Sequence, residues 1–376
     1  MKILHLIDSF DARFERDQIK LVELLERKGY RNTVITSRFS SDWKHRRKAE
    51  FKLWEKNFSQ TEILHEPSFR IPTPFSREPS TIYLPLRRIL HDFDIIHAYT
   101  FGTYSSLLGA ILKKVKKSKL VIRSDLSASA YYKTKNKALY RTITMYPFRV
   151  TDAVYAYSML EKRYLVDLGI QKSKIWVIPP GIDFDKFSKS SIVPKRDITT
   201  IGYLGRFCFV KGVHRIIPVL HDLLRREEKV RVFFTGIIED GKYAEDVLKQ
   251  LKQFRNFQFL ADLSLSPLRF YDMCDIILVP SVSETGAITV LEVMASGKTV
   301  IASDINPINE YIQHEFNGFL FQNQEELYFY LKNLIENPDL IVKIGKNARE
   351  SAKKYDWKII MRRYEEMYKS VIKGEK

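Results

Sequence analysis

At 376 residues, with 45% hydrophobic and 28% charged residues, the chain is too long for one hydrophobic core and too apolar for disorder, which predicts two globular domains. Two cysteines, Cys208 and Cys274, are too few for a disulfide framework and lack metal-site spacing, so a reducing cytosol is the simplest compartment. No run approaches the roughly 18 apolar residues of a membrane span.

The net charge of +17 is placed unevenly: residues 1–188 carry 34 Lys and Arg against 20 Asp and Glu, and residues 189–376 carry 28 against 25. Such a first half favours anionic partners, namely phosphates, acidic lipid headgroups or nucleic acid, although many basic proteins use the same surplus only for solubility.

In chain order, the apolar run Ile3 to Ile7 stops at Asp8, so it reads as a strand and not as a signal peptide. A loop over 8–17 feeds a helix at 18–28, which Gly29 ends, and a second strand returns at 33–37. This is a Rossmann-like entrance without G-x-G-x-x-G, which argues against a dinucleotide. Further strands are predicted at 94–97, 120–122, 153–157 and 175–178, with a helix at 104–115. Two stretches, 43–58 and 131–149, interleave aromatic with basic residues. The pattern fits an anionic bilayer surface, and equally a helix that packs its aromatics and solvates its lysines. Residues 113–119 (KKVKKSK) read as a solvated turn.

The polar stretch 188–197 (SKSSIVPKRD) reads as a linker. Beyond it strands are predicted at 199–204, 230–234, 257–260, 276–279, 299–302 and 319–321, alternating with helices at 212–225, 243–254, 265–273, 287–295 and 324–336. Two more helices, 340–354 and 357–372, finish the chain. The organising unit is 275–304, a βαβ segment whose helix is apolar all round apart from Glu292 and stops at Ser296-Gly297. A single carboxylate in a buried helix needs a partner, and Glu284 lies in the loop where open α/β sheets place ligands. Two readings stay open at this point. In one, both carboxylates converge on a crevice; in the other, Glu292 pairs with a core arginine and Glu284 is a solvated loop charge.

Five pieces together carry a resemblance: DIIHAYT at 94–100, KIWVIPPGIDFDKF at 174–187, IGYLGRFCFVKGV at 201–213, SETGAITVLEVMASGKTVIASD at 283–304 and NGFLF at 317–321. Glu284 and Glu292 are spaced as E-x7-E, and with the other four pieces in order the chain resembles the retaining glycosyltransferase family 4 over nearly its whole length. The resemblance implies a GT-B fold, two Rossmann-like domains facing across a cleft: residues 1–188 for the acceptor, 189–355 for the donor, and a C-terminal helix, 356–376, crossing back to the first.

What the resemblance implies for function is the transfer of a sugar, from a UDP- or GDP-sugar, to a glycan, lipid-linked or small-molecule acceptor with retention at the anomeric carbon. Arg206 and Lys211 match the pair that clamps the donor diphosphate, Glu292 the residue that takes the ribose hydroxyls, and Glu284 the one that faces the donor sugar. The amides of Gly286, Ala287 and Ile288 open a helix towards phosphate or sugar oxygens, and Leu263 lies where such enzymes meet the base. Arg206, Lys211 and Glu284 are thus the expected catalytic set. No metal and no further cofactor is implied. With the cysteine count and the basic first half, the expectation is a cytoplasmic enzyme, with an anionic inner-membrane surface as a further partner and no nucleic acid.

The chain departs from the family's pattern in three places. Its E-G-F-G is here Glu284-Thr285-Gly286-Ala287, the glycine pair after the first strand gives way to Asp11 and Arg13, and a first-domain His is replaced near Asp125. His97, Asp125 and Arg13 are the acceptor-side candidates, with His97 also readable as a packed core histidine. These departures leave a specialised acceptor side, or a GT-B protein that binds a nucleotide sugar with weak turnover. A nucleic-acid-binding protein is the alternative from another class, and it gives Glu284 and Glu292 no role.

Overall fold

The computed structural model describes residues 1–8, 10, 17–37, 58–66, 68–71, 80–83, 92–191, 198–227, 229–261 and 265–374, and of 68–71, 80, 81 and 83 the backbone only. The chain forms two compact units, Met1–Pro179 with Met361–Lys376, and Pro180–Ile360.

In the first unit, β1 (Lys2–Ile7), β2 (Arg31–Ser37), β3 (Glu62–Glu66), β6 (Ile95–Ala98), β7 (Lys119–Arg123), β8 (Ala153–Ala156) and β9 (Ile175–Val177) make one sheet. Its order is β3-β2-β1-β6-β7-β8-β9, with every pairing parallel. A small antiparallel pair, β4 (Ser68–Ile71) and β5 (Ser80–Tyr83), stands apart from it. Parallel strands covered by helices on both faces are near-continuous apolar runs, which is why Ile95, Ile96, Leu120, Val121 and Ile122 are all at most 1% exposed. The strand β3 (EILHE) is half-buried along its length, as its position at the sheet edge dictates.

The second unit repeats the plan with β10 (Thr199–Leu204), β11 (Val230–Thr235), β12 (Phe257–Leu260), β13 (Ile276–Val279), β14 (Thr299–Ser303) and β15 (Phe319–Phe321), in the order β12-β11-β10-β13-β14-β15, all parallel. The helix Ile288–Ala295 buries Val290, Leu291, Val293, Met294 and Ala295, and Gly297 at φ +68° takes the left-handed position that ends it. Both cysteines are free and buried.

The last helix, Trp357–Lys373, straddles the division of the chain. Beyond Met361 its aromatic residues join the first unit. Tyr364 meets Tyr155 edge to face, and the Tyr368 hydroxyl lies 2.7 Å from His97 Nδ1. Among the described residues no helix is long and apolar enough to cross a membrane.

In both sheets the strand order reverses once, between β1 and β6 and between β10 and β13. Successive crossovers run to opposite sides at such a point, so the loops leaving the two central strands splay and open a crevice at the carboxyl ends.

Candidate active site

The second unit's crevice is bounded by the loops that follow β10 and β13. After β10 the chain runs Gly205-Arg206-Phe207, then a short turn, Phe209–Lys211, closed by Gly212. Gly212 has φ +68°, and a Cβ there would stand 2.0 Å from the Pro280 carbonyl oxygen, so only glycine lets the two loops come this close. The Val282 amide donates to the Val210 carbonyl at 2.8 Å, which ties the loops together. On the other side Gly236, at φ +142°, sits where a Cβ would meet the Gly205 carbonyl oxygen at 1.8 Å.

This closeness brings Lys211 and Glu284 together. Lys211 Nζ lies 2.6 Å from Glu284 Oε1, and the Ser281 hydroxyl donates to the same oxygen at 2.7 Å. The two side chains are 22% and 11% exposed, enough to reach solvent and enough to strengthen the pair above a surface one. Arg215 then fixes the loop that carries Glu284. Its guanidinium donates to Ser303 Oγ at 2.6 Å, to the Pro280 and Ser281 carbonyls at 3.4 Å each, and to the Gln322 carbonyl at 3.0 Å. One fork thus gathers the ends of β13, β14 and β15, and burial lowers its pKa from the ordinary arginine value.

Arg206 stands on the same loop as Lys211 and pairs with Glu239, both about half exposed, while the buried Tyr203 hydroxyl donates to its carbonyl at 2.8 Å. Exposed pairs contribute little, so Arg206 can exchange Glu239 for an anion at small cost. His214 stacks on Phe209 at 4.8 Å and meets the Tyr243 hydroxyl at 2.9 Å. Burial lowers the His214 pKa.

Glu292 accepts from the Tyr271 hydroxyl at 3.1 Å. That hydroxyl is the partner a carboxylate in this helix requires, and burial followed by the charge of Glu292 pushes the Tyr271 pKa well up. The contacts therefore join Glu284 to Lys211 and Ser281, and Glu292 to Tyr271. Ahead of the helix Ala287 is left-handed at φ +47° and the Tyr311 hydroxyl holds the Gly286 carbonyl at 3.2 Å. A non-glycine residue in that region carries roughly 1 kcal/mol of strain, and it stands at the position where the resembled pattern has glycine. Leu263 and Arg13 lie outside the described residues, as do residues 43–57 of the first basic aromatic stretch.

In the first unit, Arg123 at the end of β7 is held between two carboxylates. Its Nη1 lies 2.9 Å from Asp17 Oδ2, and its Nε donates to Asp125 Oδ2 at 3.0 Å. Asp125 is itself left-handed, with φ +48°. Tyr157 donates to Asp17, and Glu161 accepts from the amides of Leu126 and Tyr157 at 2.7 Å each. Burial, reinforced by the charge of Asp125, pushes the Glu161 carboxyl up to about 8. Asp8, at the end of β1, takes a hydrogen bond from Ser105 across the switch point, and burial raises it to about 6. His97 is 0% exposed, stacked on Tyr99 at 4.3 Å; burial, then the neighbouring His5 and Arg123, hold its pKa well below the ordinary imidazole value. His97 is thus packed in the core of the first unit, and Asp125 follows the end of β7 by two residues. Among the described residues no group of three His, Cys, Asp or Glu is placed to hold a metal ion.

Sequence reasoning passed over Ser281, Arg215 and Glu239, because each acts through a loop contact that no motif encodes. The one available signal was position, for Ser281 and Glu239 alone: they follow the ends of β13 and β11 by two and four residues, whereas Arg215 lies eleven beyond β10.

Residues 18–186 match the model of Glycosyltransferase Family 4, and residues 184–351 that of Glycosyl transferases group 1. An uncharacterized glycosyltransferase of Methanocaldococcus jannaschii is 25% identical over 81% of this chain and 82% of its own length. The alpha-monoglucosyldiacylglycerol synthase of Streptococcus pneumoniae is 25% identical over 66% of this chain and 61% of its own. Among solved structures, an Anabaena protein in complex with UDP and glucose superimposes with a TM-score of 0.73 at 20% identity, covering 98% of this chain and 100% of the other. Two parallel α/β units, each with a reversed strand order, and two family models that between them take in 18–351 lead to one conclusion: the chain belongs to the GT-B glycosyltransferases.

Proposed function

We propose that the protein is a retaining glycosyltransferase that moves a sugar from a nucleoside-diphosphate sugar, UDP- or GDP-linked, to a glycan, lipid-linked or small-molecule acceptor. The observation that carries this reading is the Lys211 to Glu284 contact at the switch point of the second unit. A cation and a carboxylate, held together by two loops, meet the two needs of glycosyl transfer from such a donor. The cation offsets the charge that collects on the diphosphate as the anomeric C–O bond breaks, and the carboxylate holds the sugar hydroxyls. The UDP and glucose of the Anabaena neighbour support the donor class, and the lipid product in the name of the Streptococcus relative supports a lipid among the acceptors.

In this reading Arg206 turns from Glu239 to the diphosphate beside Lys211, Glu292 accepts the ribose hydroxyls, and the amides of Gly286, Ala287 and Ile288 face phosphate or sugar oxygens. Leu263 lies near the base, with Asp125 and Arg13 on the acceptor side. The acceptor hydroxyl attacks on the face from which the diphosphate leaves, its proton passes to the departing phosphate oxygen, and the configuration is kept. Protein side chains orient the reactants and stabilise charge, and none forms a bond to the sugar. The donor domain is the second unit, the acceptor domain the first.

A thermal-shift series with UDP, GDP, ADP, CMP and dTDP on wild type and Glu292→Ala tests this. A nucleotide at about a hundred times its dissociation constant stabilises by roughly 2.7 kcal/mol, a rise of a few degrees. One nucleotide that raises the midpoint of wild type, with the rise lost in Glu292→Ala, identifies the base. If none of the five raises it, the donor assignment is wrong.

A further inference from the structure

From Val290 to Ala295 every residue is buried except Glu292, which is partly exposed and so within reach of a ligand. Its Oε2 is met from within the core by Tyr271, 0% exposed, whose hydroxyl donates at 3.1 Å. The phenol is locked in place. Its ring lies 6.0 Å from that of Phe187, and the helix that carries it, Pro267–Asp272, packs close to β10: a Cβ on Gly202 would stand 2.5 Å from Cys274 Sγ and 3.1 Å from the Phe270 ring. Burial, then the charge of Glu292, push the Tyr271 pKa well up, so the phenol keeps its proton and donates.

As a fixture of the fold this pair offers little. Two apolar side chains of the same shape would serve the core at least as well, because a buried hydrogen bond only replaces those that water makes with the separate groups. Its use lies at the exposed side of the carboxylate, where fixing one oxygen sets the plane in which the remaining lone pairs are offered. The vicinal hydroxyls of a ribose are two donors that suit one carboxylate, and a 2′-deoxyribose brings only one. We propose that Tyr271 is a positioning residue, which sets the plane of the Glu292 carboxylate so that the donor site selects a ribonucleoside diphosphate over its 2′-deoxy form. This rests on the donor reading above, in which Glu292 takes the ribose hydroxyls, and it narrows the donor class: thymidine-diphosphate sugars, which carry deoxyribose, are rejected.

Selection comes from what the deoxy ligand leaves behind. A site built to pair with a hydroxyl rejects the analogue that lacks it, because a desolvated polar group then stays unpaired. That penalty is full only where the group cannot turn to another partner. With the phenol in place the carboxylate is held; without it, Glu292 can rotate to follow whichever hydroxyl is present, and the two sugars are told apart less well.

Calorimetric titration of UDP, GDP and their 2′-deoxy forms tests this on wild type, Tyr271→Phe, Glu292→Gln, the double variant Tyr271→Phe/Glu292→Gln, and Tyr330→Phe. The last removes a phenol from the helix Gln324–Glu336 of the same unit. Wild type is expected to bind one ribonucleotide at least about tenfold more tightly than its deoxy form. Tyr271→Phe fills the same volume, and it is expected to shrink that ratio about threefold or more. In the Glu292→Gln background the same change is expected to leave the ratio alone, which marks a residue that acts through Glu292. Tyr330→Phe is expected to keep the wild-type ratio. A hydroxyl with a structural role alone would lower the thermal midpoint and weaken both sugars alike, leaving the ratio unmoved. The proposal is overturned if wild type does not prefer the ribonucleotide, if Tyr271→Phe keeps the wild-type ratio, if it lowers the ratio equally without Glu292, or if Tyr330→Phe lowers it as much. A ribonucleotide that binds with a ratio Tyr271→Phe does not move removes this inference alone, and the absence of any nucleotide binding removes the donor reading and this inference with it.

Discussion

Lys211 and Glu284, 73 positions apart in the chain, stand 2.6 Å from each other because β10 and β13 are neighbours on either side of the reversal in strand order. The pair is assembled by topology and kept in place by backbone. Gly212 permits the approach, the Val282 amide closes it, and Arg215 anchors the loop from behind. Breaking one member leaves the other partly buried and unpaired, so single replacements here act on stability as well as on binding.

Gly212→Ala is predicted to be among the most damaging single changes in the second unit. It puts a Cβ 2.0 Å from the Pro280 carbonyl oxygen and asks alanine to hold φ +68°. Urea unfolding is expected to show a loss of about 3 kcal/mol or more, with nucleotide binding weakened in the same variant because Lys211 precedes the shifted residue. A wild-type midpoint would mean that the loops are not in contact.

Arg215→Ala removes the fork that gathers three strand ends, leaving the Pro280, Ser281 and Gln322 carbonyls without it. A loss of about 1–3 kcal/mol is expected in thermal unfolding, with a drop in sugar transfer larger than the change in nucleotide affinity, since the Glu284 loop loosens first. Arg215→Lys keeps the charge and not the fork, so it should recover little. Full recovery by lysine would show that charge alone matters.

Acid should destabilise the first unit through His5 and His97, both 0% exposed. Burial holds His5 at about 4, with the Asn32 hydrogen bond working against it, and holds His97 well below the ordinary imidazole value. The folded chain keeps both neutral while the unfolded chain protonates near 6.5. Their contribution is therefore complete above that value and is lost as pH falls towards 4, about 3 kcal/mol for His5 alone. The buried carboxyls run the other way: Glu161, raised to about 8, Asp8, raised to about 6, and Asp17, also raised, add stability as pH falls, so the histidine contribution is read by difference. Between pH 7.5 and 4.5 the urea midpoint of His97→Gln is predicted to fall less, or rise more, than that of wild type. Parallel curves would show that His97 is not buried neutral.

Much of the architecture is legible because a strand buried on both faces is a continuous apolar run: Thr199–Leu204, Phe257–Leu260, Ile276–Val279 and Phe319–Phe321 all stand where such runs predict them. The helices Tyr104–Val115 and Gln324–Glu336 likewise match their periodicity. The strand β3 escapes this reading because an edge strand, half-buried, alternates charge with apolar residues, and Met159–Asp167 escapes because only Glu161 and Leu165 of its residues are buried. At the site, the motif spacing names Lys211, Glu284 and Glu292, but not what each one touches. That Glu292 meets Tyr271 on another helix, and that Ser281 and Arg215 brace Glu284, depends on strand order and loop approach, which no local pattern carries.

Calorimetric titration of UDP and GDP into wild type, Lys211→Met and Lys211→Met/Glu284→Gln tests the central claim most directly, the double variant sparing Glu284 an unpaired charge. The account predicts that one nucleotide binds wild type and that both variants lose about a hundredfold, the equivalent of about 2.7 kcal/mol, with their thermal midpoints showing that the fold persists. Equal affinity in all three proteins, or no binding of either nucleotide to wild type, would contradict it.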